Sequence, residues 1–210
     1  MRQKLADWDL EAPGLEAFFR KNGAALVGDP SVTPGIIDLL EEQFERSSLD
    51  VGSVEWRRCL LHARFIESGL DIISAGRKSG DYRTRVQNLN WESLFKQGIG
   101  NFVNRLREEW RGEYDFVLID SRTGITDIGD ICTVLLPDVV ILMFVTNFQN
   151  IEGVQSIMTR AREARSRLPV DRSRLLGLPL PARDEIYNEY EKSVEWRNIF
   201  AAELGYLYNE

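Results

Sequence analysis

Tyr114-Asp115-Phe116-Val117-Leu118-Ile119-Asp120-Ser121-Arg122-Thr123-Gly124 rises through four consecutive apolar residues to an acid and then turns polar. An unbroken apolar run that ends this way predicts a strand covered on both faces, the mark of a parallel sheet. Its terminal acid stands where the chain leaves the sheet, the end at which open α/β sheets bind ligands. Working outward, Val139-Val140-Ile141-Leu142-Met143-Phe144-Val145 has the same character and leads into Thr146-Asn147-Phe148-Gln149-Asn150. Leu70-Asp71-Ile72-Ile73-Ser74 reads as a shorter strand, and Leu175-Leu176-Gly177-Leu178-Pro179 as a fourth that Pro179 closes. Leu5-Ala6-Asp7-Trp8 reads as the end of a fifth.

Segments of helical period separate these runs. Thr33 and Pro34 supply a cap and a first helical position for a helix over 34–46. Asn90 is expected to cap one long helix over 91–110, and Asn150 a helix over 151–168. A last helix is expected over 185–204. Their apolar stripes are packing faces and need no cofactor to explain them. The expected fold is α/β: three layers, a mostly parallel sheet with helices on both faces. Residues 1–210 form one domain in this reading, with 184–210 as a C-terminal helix and tail.

Composition narrows the function classes. A length of 210 residues suits one domain, and 43% apolar with 28% charged side chains is ordinary for a globular chain. A net charge of −7 argues against a general affinity for nucleic-acid backbones. Cys59, Cys132 and the single His62 cannot make a disulfide framework or complete a zinc site. The longest apolar stretch, 134–146, is interrupted by Pro137 and Asp138, so no membrane span is expected. The first residues do not read as a signal peptide, and the expected location is cytoplasmic.

Three strand ends carry the polar chemistry. The first is Asp7-Trp8-Asp9-Leu10-Glu11-Ala12-Pro13-Gly14-Leu15, the second begins at Asp120, and the third is Thr146-Asn147-Phe148-Gln149-Asn150. Carboxylates at adjacent strand ends suit Mg²⁺, which prefers oxygen ligands and keeps several waters. A carboxylate there can also position the water that attacks a terminal phosphate.

These segments resemble ParA/MinD-type ATPases, the deviant-Walker members of the SIMIBI class of P-loop proteins. Asp7-Trp8-Asp9 with Pro13-Gly14 is similar to the Asp-x-Asp segment after that family's second strand. Phe116 to Asp120 with Ser121, Arg122, Thr123 and Gly124 resembles its Walker B strand and switch loop, and Val145-Thr146-Asn147 the segment after the next strand. The likeness runs from about residue 5 to about residue 181. It is nearest to a bacterial subfamily with a variant phosphate loop, in which Asp-Trp-Asp-Leu-Glu-Ala-Pro-Gly and Asp-Ser-Arg-Thr-Gly recur nearly verbatim. The resemblance implies ATP and Mg²⁺ as cofactors, with Asp9 and Asp120 as catalytic acids and Asp120 reaching Mg²⁺ through water. It implies nucleotide contacts from Asp7, Asn147, Arg122, Thr123 and Gly124.

Members of that family begin with a strand, a Gly-rich loop bearing lysine, and a helix. Six residues precede Asp7, so that unit is expected to be missing and the sheet to have an incomplete edge. Gly76-Arg77-Lys78-Ser79 follows a strand, but Arg77 and the position of Gly69 break the phosphate-loop spacing. It reads instead as a solvated basic loop, with Lys78, Arg83 and Arg85 available as an anion patch. The expected function is a ParA/MinD-like ATP-binding domain, inactive or very weak by itself. The alternative is a non-catalytic interaction module, or a degenerate ATPase completed by a partner. Either a homodimer or a partner protein would cover the edge.

Overall fold

The computed structural model describes residues 1–45, 54–65, 68–78, 80–121, 131–168, 172–182 and 190–208. The chain divides into two compact units, Met1–Leu136 and Pro137–Glu210.

The first unit is built on strand Gln3–Asp7 (β1). It is followed by helix Leu15–Lys21 (α1), strand Ala25–Val27 (β2), helix Ile36–Glu45 (α2), and strands Leu60–Arg64 (β3) and Gly69–Ile73 (β4). Helices Tyr82–Asn88 (α3), Trp91–Lys96 (α4) and Ile99–Glu113 (α5) then lead to strand Phe116–Asp120 (β5). A π-helical turn, Ile131–Leu135, closes the unit. The sheet order is β2-β3-β4-β1-β5. Strand β1 runs parallel to both β4 and β5, whereas β3 is antiparallel to β4 and to β2. The sheet is therefore mixed, and its antiparallel half departs from the mostly parallel expectation. The reason is local. The chain reverses between β3 and β4 through a tight connection, in which the Phe65 N–H donates to the Ser68 carbonyl at 2.8 Å.

The main core gathers Ala6, Trp8, Ile36, Leu40, Trp56, Ile73, Phe102, Leu106 and Trp110. A smaller cluster of Ala24, Leu61, Ala63 and Ile72 has Phe19 and Leu26 packed against it. The long helix expected over 91–110 is two helices. Asn90 does cap the first, accepting from the Ser93 N–H at 2.9 Å. Gly98 then takes φ +88°, a left-handed conformation that ends one helix and turns the chain into the next.

In the second unit, strands Val139–Phe144 (β6) and Leu176–Pro181 (β7) form a separate parallel pair, joined through helix Phe148–Ser166 (α6). Helix Tyr190–Leu204 (α7) follows, and residues 185–189 of its expected extent lie outside the described residues. Val140, Leu142 and Phe144 are buried. Met158 of α6 lies where a side chain on Gly177 of β7 would stand, so that glycine admits the helix. Phe200 of α7 meets Phe144 edge-on at 4.8 Å. The cap of α6 is Asn147 and not Asn150: Asn147 Oδ1 accepts from the Asn150 N–H at 2.8 Å.

Candidate functional site

Parallel register brings two of the expected acids together. Asp7 and Asp120 are Cα partners at the carboxyl ends of β1 and β5, and the Trp8 N–H donates to the Asp120 carbonyl at 2.7 Å. The third acid, Asp9, follows on the loop beyond β1.

The three carboxylates do different things. Asp7 is fully buried and turns into its own loop. Its Oδ1 accepts from the Asp9 N–H at 3.1 Å, and its Oδ2 from the N–H groups of Gly14 and Leu15 at 3.2 and 3.4 Å. Burial pushes its pKa up to about 6; those backbone donors oppose the rise and the charge of Asp120 adds to it. Asp9 Oδ1 accepts from the Ala12 N–H at 3.1 Å and leaves its other oxygen without a bond in that loop. Asp120 is exposed at the strand end. Partial loss of hydration, then the negative charge of Asp9, hold its pKa above the ordinary carboxylate value. Two outward acids and one inward anchor thus share this strand end.

The loop is held from the side by the first residue of α3. Tyr82 donates its hydroxyl to the Leu10 carbonyl at 2.8 Å. The first N–H groups of α2 donate to carbonyls just past β4, Ile36 to Ser74 at 3.0 Å and Ile37 to Ala75 at 2.9 Å. Gly35 permits that approach, since a Cβ there would stand 2.5 Å from the Gly76 nitrogen.

Two buried acids, which sequence reasoning missed, pair with the basic run from neighbouring helices, Asp38 from α2 and Glu16 from α1. Asp38 accepts from the Gly35 N–H, from the Arg77 N–H and Nε at 3.1 and 2.8 Å, and from Arg85 Nη2 at 2.8 Å. Arg85 also pairs with Glu41, and Lys78 with the buried Glu16 of α1. Of the expected anion patch, Lys78 and Arg85 are therefore paired cations, as is Arg77 beside them, whereas Arg83 is exposed on α3. A signal did exist, since Asp38 and Glu16 each fall in the first turn of a helix, but charge on a helix surface is usually solvent-facing.

The remaining expected residues are placed as follows. Asn147 lies in the second unit and spends its side-chain oxygen on the cap of α6. Arg122, Thr123 and Gly124 lie outside the described residues. Among the described residues no group of three or more His, Cys, Asp or Glu side chains could hold a metal ion. The donor set fits a cation held through water by two carboxylates, not one stripped of its hydration. Among them, too, no helix is long and apolar enough to cross a membrane. Burial pushes both cysteine thiols, Cys59 and Cys132, up to about 12, so neither is a reactive thiolate.

Comparison with solved structures places the fold. A structure described as "Partition Protein" superposes with a TM-score of 0.55 at 16% identity, covering 97% of this chain and 55% of that one. A plasmid partition protein from Borrelia burgdorferi is similar at 17% identity and TM-score 0.48, over 97% of this chain and 86% of that one. A ParA family ATPase from Chlorobium tepidum TLS is similar at 12% identity and TM-score 0.49, over 96% and 68%. No protein-family model matches the chain, and no curated protein does. At these identities the likeness is one of fold alone, and the fold is that of the structure described as "Partition Protein".

Proposed function

We propose that residues 1–210 form a ParA-like nucleotide-binding domain without the Gly-rich phosphate loop, akin to the bacterial variant-phosphate-loop kind, working in the cytoplasm. Asp9 and Asp120 serve a hydrated Mg²⁺ and the attacking water. The observation that carries this reading is the register of Asp7 with Asp120, supported by the charge of Asp9, which helps to hold the Asp120 pKa above the ordinary value. Asp7 acts one step back, gathering three backbone N–H groups so that the Asp9 loop keeps its shape. Bound Mg²⁺ would offset the charge of these acids and of a triphosphate. Nucleotide contacts from Arg122, Thr123, Gly124 and Asn147, and pairing of two copies around the nucleotide, belong to the same proposal.

Within these 210 residues there is no Gly-x-x-x-x-Gly-Lys-Ser/Thr run, and Arg77, Lys78 and Arg85 are paired with acids. These residues therefore contain no phosphate cradle of that Gly-rich kind, with its backbone N–H groups and lysine. By themselves these residues bind ATP weakly or not at all and hydrolyse it negligibly, because each missing donor around a transferred phosphoryl group costs on the order of 10²-fold. Calorimetry with ATP and Mg²⁺ tests this. No saturable heat is expected, and micromolar binding competed by ADP would overturn it. A second reading, an interaction module that keeps the fold without catalysis, is favoured by the exposed apolar face of the second unit.

A further inference from the structure

Glu16 of α1 is a buried acid that the protein satisfies only in part. Its side chain is 3% exposed, Lys78 pairs with its Oε1, and its Oε2 has no hydrogen-bond partner. A buried carboxylate oxygen without a donor is costly, and native structures almost always provide one, from protein, water or ligand. Glu16 also lines a half-open cavity of about 160 Å³, framed by α1, the turn after β2 and the loop after β4. Lys78 lines the same cavity and its side chain is 45% exposed, so the Glu16–Lys78 pair lies in the cavity wall.

The other walls are fixed by hydrogen bonds of their own. The Asp29 carbonyl accepts from the N–H groups of Val32 and Thr33 at 3.2 and 2.9 Å, which closes the turn after β2. Asp29 Oδ1 accepts from the Ser31 N–H at 2.9 Å and from the Ser31 hydroxyl at 2.7 Å. The Lys78 N–H donates to the Pro30 carbonyl at 3.4 Å and ties the loop after β4 to that turn. Arg20 completes the lining one helical turn beyond Glu16, on the same face of α1. The two Ser31 bonds, and then the charge of Arg20, hold the Asp29 carboxyl below its ordinary range.

Charge and size together select the ligand. Two acids, Glu16 and Asp29, and two cations, Arg20 and Lys78, line the cavity, so its net charge is zero. A phosphate there would be repelled by the acids, and a metal ion by the cations. A small molecule carrying both charges meets a partner for each. An engineered protein cavity of about 150 Å³ holds benzene, so this one has room for about six non-hydrogen atoms, the size of glycine or alanine.

We propose that this cavity binds a small α-amino acid as its zwitterion, the ammonium donating to Glu16 Oε2 and the carboxylate accepting from the Arg20 guanidinium. Lys78 keeps its place on Oε1. The site shares no residue with Asp9 and Asp120 and requires no nucleotide, so this inference can fail while the ATP reading stands, and the reverse.

Calorimetry and thermal unfolding of the 210-residue chain test it, with glycine and alanine as probes and methylammonium chloride and sodium acetate as single-charge controls. Glycine or alanine should bind saturably and raise Tm, and neither control should do so at the same concentration. Glu16→Gln and Arg20→Ala should each weaken binding about tenfold, the loss of one charge-assisted hydrogen bond. Lys21→Ala, exposed on the same helix but outside the cavity lining, should leave binding unchanged. Should Glu16→Gln fail to fold, Arg20→Ala, at an exposed position, decides the matter. No saturable binding of either amino acid would overturn the inference, and so would equal binding of methylammonium or acetate. Binding that survives Arg20→Ala, or that falls as far with Lys21→Ala, would reduce it to general charge attraction and sink it.

Discussion

Lys4 is the least comfortable residue in the core, and replacing it by methionine should stabilise the protein. It is fully buried on β1, its Nζ has no hydrogen-bond partner, and it lies 3.4, 4.3 and 4.8 Å from the ring centroids of Trp56, Trp110 and Tyr114. Burial lowers its pKa to about 6, with Asp71 pulling the other way. Between that value and the unfolded 10.5, the unfolded chain holds a proton that the folded chain has lost. Stability therefore rises with pH across this window, by up to about 1.4 kcal/mol per unit, and is depressed below it. At pH 7 the depression is on the order of several kcal/mol, and the neutral amine keeps a buried Nζ without a hydrogen-bond partner. Lys4→Met keeps the length and the ring contacts and removes both terms. It should gain about 2–3 kcal/mol at pH 7, or roughly 5–10 °C in Tm for a chain of this size. Thermal unfolding from pH 6 to 10 checks both parts: a higher Tm for the variant at pH 7, and a gap that closes as pH rises. A variant less stable than the parent, or two curves of equal slope, would show that the aromatic box holds a charged lysine at no cost.

Gly35→Ala should destabilise by about 3 kcal/mol, since the new Cβ meets backbone rather than a movable side chain. Its Tm should fall, and Gly14→Ala, with open space at its Cβ, should leave Tm nearly unchanged. Asp7 behaves in the sense opposite to Lys4: its folded pKa of about 6 lies above the ordinary 3.8, so stability should drop as pH rises through that interval, by up to about 3 kcal/mol. Asp7→Asn should flatten that part of the pH–Tm curve, and Mg²⁺ should raise the parent's Tm at pH 7.5 more than at pH 5; parallel curves with no cation effect would refute both.

What the sequence made legible follows from how each strand is covered. β5 and β6 are unbroken apolar runs and were readable at once as strands, but they are not covered on both faces as expected: Phe116 and Leu118 on β5 and Val139, Ile141 and Met143 on β6 are exposed. β1 was read only as a strand end, because Gln3 and the buried Lys4 look like surface residues, yet it is flanked by β4 and β5 on both sides. β2 spans three residues, and β3 sends His62 and Arg64 outward, so neither presents an apolar run to recognise. The break at Gly98 was hidden by an apolar stripe that continues in phase across it. Asn147 and Asn150 were equally good caps on paper. Geometry separates them, since only one can accept the bond that the other donates.

The site was legible as a set of residue types and not as a division of labour. Asp7 and Asp9 look alike in the sequence, both acids flanking Trp8. In a strand that alternation puts them on one side, but β1 ends at Asp7 and the loop begins. Trp8 is drawn wholly into the core. That anchor leaves Asp7 beneath the loop, where three N–H groups surround it, and puts Asp9 outward beside Asp120. The same logic governs the cations. Lys78, Arg83 and Arg85 read as a patch for anions, but Asp38 and Glu16 are buried within reach of Arg77, Lys78 and Arg85 and must be neutralised there, because an unpaired buried carboxylate is far costlier than a solvated arginine. The fold thus consumes its own positive charge and leaves a negative strand end facing out.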